Sequence, residues 1–107
     1  MAKYVTFYGG AMAAGHNVKA APAGDTPEAL MAKIMAAFPA QRARLDQFAA
    51  AGKLLMVGPF GDPMADGAMG IWRSKADAEE FMAGDPFLLQ GLVRSWRLLE
   101  WNESQVP

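Results

Sequence analysis

Three places in this chain carry side chains suited to proton transfer or ligand recognition. Asp85, in Gly84-Asp85-Pro86-Phe87, is an acid between a glycine and a proline. It suits two roles, capping the turn that follows or serving as an acid or base in a site. Gln41 donates and accepts hydrogen bonds but exchanges no proton near neutral pH, so it suits binding rather than acid–base work. Arg42 and Arg44 share its segment, where a guanidinium either pairs with a carboxylate ligand or solvates a helix face. His16, in Ala14-Gly15-His16-Asn17, is the only histidine of the chain. It is an exposed loop residue or a base that swings over a pocket, and no partner stands at a fixed spacing from it.

Other chemistries lack their parts. There is no cysteine, which removes disulfides, thiolate nucleophiles and cysteine-based metal sites. Asp62 and Asp66 on one turn are too few for a calcium site, and no metal or cofactor is expected. Gly9-Gly10 follows a strand-like run but lacks the further glycines of a phosphate-binding loop.

The elements that must position these residues read as β-α-β-β-α-β. Lys3 to Tyr8 is rich in β-branched and aromatic residues and predicts the first strand. Residues 9–26 are Ala/Gly-rich, without a period, and read as a loop or insertion. Thr26 or Asp25 caps a helix with Pro27 at its first position, and Leu30, Ile34 and Phe38 recur at helical spacing. Pro39 predicts a kink or break, followed by a second helical piece to Ala51 with Leu45, Phe48 and Ala49 on its apolar face. Gly52 is the expected stop. Leu54 to Val57 reads as a buried second strand closed by Gly58-Pro59, and Phe60 to Gly67 as turn chemistry. Ala68 to Arg73 is the third strand, with Gly70 and Trp72 on one face. Ser74 caps a helix over Lys75–Ala83, Asp85-Pro86-Phe87 starts a further short turn of helix, and Val93 to Trp101 is the last strand. The tail from residue 103 is expected to fray. Met31, Met35, Met56 and Met69 read as core, or as the wall of an adaptable pocket.

Two right-handed crossovers in this order give a four-stranded antiparallel sheet with both helices on one face. Trp72, Trp96 and Trp101 lie on the third and fourth strands, and some of them must point towards the other face, which a second copy would cover to form a homodimer. The 107 residues fit one domain, and 52% hydrophobic content agrees with apolar surface hidden in an oligomer. A net charge of −1, from 10 basic and 11 acidic residues, offers no basic face to a nucleic acid. The N-terminus lacks the apolar core of a signal peptide and no run reaches membrane-spanning length, so a cytoplasmic, membrane-free protein is expected.

Four stretches resemble the YCII-related (YciI-like) family. They are Gly52-Lys53-Leu54-Leu55-Met56-Val57-Gly58-Pro59, Ser74 to Phe81, Asp85-Pro86-Phe87 with Gly91-Leu92-Val93, and Trp96 with Glu100-Trp101-Asn102-Glu103. The resemblance implies a ferredoxin-like α+β fold paired into a dimeric α+β barrel. It also implies an acid–base pair made of the aspartate of the Asp-Pro-Phe motif and a histidine on the first helix. Some relatives are lyases, isomerases or dehydrohalogenases of small ring compounds and use no cofactor. This chain departs at the histidine: the family's Pro-Ala-His reads Pro39-Ala40-Gln41 here. The expected site therefore has Asp85 and His16 as catalytic candidates and Gln41, Arg44, Pro59 and Phe87 as ligand contacts. The expected function is binding of a small apolar or aromatic metabolite, or else cofactor-free acid–base catalysis on one.

Overall fold

A computed structural model describes residues 2–9, 26–93 and 95–104. Its elements are β1 (Lys3–Tyr8), α1 (Pro27–Ala50), β2 (Leu54–Pro59), α2 (Pro63–Asp66), β3 (Ala68–Trp72), α3 (Lys75–Ala83), α4 (Pro86–Leu89) and β4 (Trp96–Trp101). This is the expected βαββαβ order, with α2 and α4 as short helices inside connections. The sheet is antiparallel in the order β2-β3-β1-β4. β1 is therefore central, with Tyr4 opposite Trp72 on one side and Glu100 on the other.

Local chemistry sets the helix ends. Thr26 Oγ1 accepts from the Ala29 N–H over 3.1 Å, and Ser74 Oγ accepts from the Asp77 N–H over 3.1 Å. Gly52, at φ +75°, takes the left-handed conformation that ends α1. α1 and α3 cover the sheet face that carries Tyr4, Thr6 and Tyr8. Between them lies a core of Phe48, Leu54, Trp72, Ala78 and Phe81. Its rings meet edge to face, with Phe48 and Phe81 centroids 5.3 Å apart at 88°, and Trp72 tilts against Phe81 at 4.9 Å. The Trp72 indole N–H, buried here, donates to Thr6 Oγ1 over 2.9 Å.

Four expectations are corrected. α1 runs unbroken through Pro39, because the missing donor falls on the exposed side while Leu30, Ala37, Gln41 and Phe48 continue one buried stripe past it. β2 is not buried: it is an edge strand, irregular between Leu54 and Met56, and only Leu54 enters the core. β4 begins at Trp96, since Leu92 and Val93 are buried in the turn after α4, where the Leu92 N–H bonds the Phe87 carbonyl. Met31, Met35 and Met56 are exposed rather than core, Met56 at 66%.

The other sheet face carries Met56, Leu99 and Trp101, the last 45% exposed. Of the three tryptophans Trp101 is the one on this face, and Trp72 and Trp96 belong to the helix-covered face. Lys3 pairs with Glu103, which ties down the start of the expected tail. Residues 105–107 and residues 10–25, with His16, lie outside the described residues. Among the described residues, no helix is long and apolar enough to cross a membrane.

Candidate ligand-binding site

The helix layer does not fill its side of the sheet. A cavity of about 450 Å³ lies between α1 and the strands. α1 contributes Met31, Ile34, Phe38, Gln41 and Leu45 to its wall, and the sheet contributes Thr6, Tyr8, Val57, Ala68 and Trp72. Phe87, Leu92 and Val93 close one end. The volume is that of a pocket for a small molecule, and the wall is mostly hydrocarbon.

The polar groups of the wall are few. Thr6 already accepts the Trp72 N–H. Arg42 lies at the rim, where its Nε meets Asp46 Oδ1 at 3.1 Å on the exposed side of the helix. Gln41 is 9% exposed, and its Nε2 donates to Asp85 Oδ1 over 3.3 Å. Asp85 sits behind it, wholly buried at 0% exposure and outside the cavity wall.

Asp85 performs the capping role read from its sequence. The same Oδ1 accepts from the Phe87 N–H over 3.0 Å, at the N-terminus of α4. Burial pushes its carboxyl above the usual carboxylate range, although Tyr8, the Phe87 amide, Gln41 and Arg44 pull the other way. The Tyr8 hydroxyl and the Asp85 carboxyl are close enough to couple electrostatically. The Tyr8 hydroxyl oxygen and Asp85 Oδ2 are each a buried polar atom without a partner. Burial first, and then the neighbouring Asp85 carboxylate, hold the Tyr8 hydroxyl well above its ordinary pKa. A proton shared by this pair belongs on Oδ2, because Oδ1 already has two donors.

Arg44 is placed differently from the expectation. Its Nη2 donates to the Glu80 carbonyl over 2.8 Å and its Nε to the Phe81 carbonyl over 3.2 Å, at the C-terminal end of α3. The guanidinium lies 4.9 Å from the Phe48 ring centroid, and a Cβ on Gly84 would come within 2.7 Å of it. Arg44 thus ties α1 to α3 and does not line the cavity. Of the expected ligand contacts, the fold brings Gln41, Pro59 and Phe87 to the lining of one cavity. The sequence reading missed Thr6, Tyr8 and Trp72. The signal was present in the period of two that puts Tyr4, Thr6 and Tyr8 on one face of β1.

The YCII-related domain matches residues 19–102. The chain belongs to the YCII-related family. A solved structure with the same fold is 5-chloro-2-hydroxyhydroquinone dehydrochlorinase from Burkholderia phenoliruptrix AC1100, in complex with 2,5-dihydroxybenzoquinone. It is 19% identical, 95% of each chain is covered, and the TM-score is 0.62. At that identity the likeness establishes a YCII-type fold and no more. No curated protein matches the chain.

Proposed function

We propose that this YCII-family protein binds a small apolar or aromatic molecule in the space between α1 and the sheet. The observation that carries this reading is the cavity itself, about 450 Å³ and walled mainly by apolar side chains. Gln41 holds the place of the family's histidine and moves no proton, and Asp85 lies behind it rather than in the wall. Both features favour binding over turnover. A thermal-shift screen of small phenols, benzoquinones and their chlorinated forms tests the reading, since a ligand of the folded state raises the midpoint. No shift with any of them, at concentrations up to their solubility, would sink it.

A second reading is cofactor-free elimination or isomerisation of such a molecule, with Asp85 and His16 as the proton-transfer groups. Burial of Asp85, which favours the protonated acid, supports this reading, as does the activity of the dehydrochlorinase of like fold. Turnover that vanishes in Asp85→Asn and in His16→Ala would establish it. Turnover untouched by both would remove these residues from the chemistry.

The protein pairs with a second copy through the sheet face that carries Met56, Leu99 and Trp101, making a cytoplasmic homodimer. Light scattering on Trp101→Lys is expected to give a monomer. A monomeric wild type would refute the pairing.

A further inference from the structure

Resting on the cavity reading, we propose that Asp85 acts on the ligand only through Gln41. Its Oδ1 fixes the amide so that Gln41 Oε1 becomes the cavity's hydrogen-bond acceptor, selecting neutral aromatic molecules that carry a hydroxyl donor. Two donors converge on Asp85 Oδ1, the Phe87 N–H at 3.0 Å and Gln41 Nε2 at 3.3 Å. An acceptor on that side compels the amide to present its N–H₂ to Asp85 and its carbonyl away from it. The orientation holds whether the acid is ionised or protonated, because Oδ1 already accepts two N–H groups and a proton takes the other oxygen.

Gln41 lines the cavity, and Oε1 is the atom of its amide that Asp85 leaves unengaged. The wall's remaining polar side chains are less available to a hydroxyl donor. Thr6 Oγ1 is engaged by the Trp72 indole, the Tyr8 hydroxyl is sealed off, and Arg42 pairs with Asp46 outside. An apolar ligand that covers Oε1 without offering it a donor strands a desolvated carbonyl, whereas a phenol replaces the lost water. Asp85 is therefore a positioning residue and Gln41 determines specificity.

The test is calorimetric binding of p-cresol and of its ether, 4-methylanisole, which differ by the donor. Wild type is expected to prefer the phenol by about tenfold, near 1.4 kcal/mol. Gln41→Met, close in volume and without the acceptor, is expected to bind both alike. Asp85→Asn keeps an acceptor oxygen for the Phe87 and Gln41 N–H groups, so it is expected to retain the wild-type preference. A merely structural Asp85 predicts no such link between its chemistry and phenol selectivity, and Asp85→Leu, if folded, is expected to lose the preference. The proposal is overturned if the preference survives in Gln41→Met, disappears in Asp85→Asn or persists in Asp85→Leu. If neither compound binds folded wild type, the cavity reading falls and this proposal with it. A wild type that binds both equally overturns the acceptor assignment alone.

Discussion

The space between helices and sheet is filled at one end and open at the other. Around α3, three rings and Leu54 close on Ala78 in a buried cluster. Under the first half of α1 the same sheet face offers Thr6, Tyr8, Val57 and Ala68, and α1 stands off from them. The two ends also treat their buried acids in opposite ways. At Asp77, burial opposes ionisation, but the hydrogen bonds from Ser74 and Arg73 outweigh it and the carboxyl titrates below its ordinary range. At Asp85, burial outweighs every partner and the carboxyl titrates above it. The packed end is thus arranged for stability, while the open end keeps apolar surface in its wall and a poorly satisfied acid behind it.

The contrast is broken most severely by Phe81→Ala, which empties the packed end. Loss of a ring enclosed by Phe48 and Trp72 is expected to cost about 3–5 kcal/mol in urea unfolding. At the open end, Ala68→Leu adds bulk where space exists. It is expected to change stability by less than about 1.5 kcal/mol while weakening p-cresol binding at least about tenfold. Ser74→Ala removes the cap of α3 and is expected to cost about 1 kcal/mol by thermal unfolding.

The smallest effect is in pH dependence, and its sign separates the two acids. Asp85, raised in the folded state, stabilises the fold below the ordinary carboxylate range, and that contribution is lost as pH rises through its folded pKa. Asp85→Asn should therefore flatten the loss of stability just above the carboxylate range and unfold no earlier than wild type at neutral pH. Asp77, lowered in the folded state, stabilises above the ordinary range and loses that contribution as pH falls through its folded pKa. Asp77→Asn should flatten the acid limb instead. Urea midpoints across pH check both, and identical profiles for the two variants would contradict the assignment.

Local signals read well from the chain because they act over a few residues. Thr26 and Ser74 capped as expected, Gly52 ended α1, and Asp85 met the Phe87 N–H. Signals that depend on a neighbour read poorly. Leu54 to Val57 is as apolar as a buried strand, yet its place at the sheet edge leaves most of it uncovered. Pro39 reads as a breaker, but a helix lying on a sheet loses one exposed bond and keeps a continuous buried stripe. Arg44 and Arg42 are equivalent by type, and only the helix's rotation sends one to α3 and the other to the cavity rim.

By itself the sequence determined the order of strands and helices, the helix ends, the family, and the replacement of its histidine by Gln41. Hydrophobic period, capping and turn chemistry are written in neighbouring residues. Tertiary structure decided which end of the layer packs and which stays hollow. It also placed Asp85 behind Gln41, not beside the ligand space. That contact joins α1 to the start of α4 across 44 positions of chain, and no local pattern encodes the distance between two side chains so far apart in sequence.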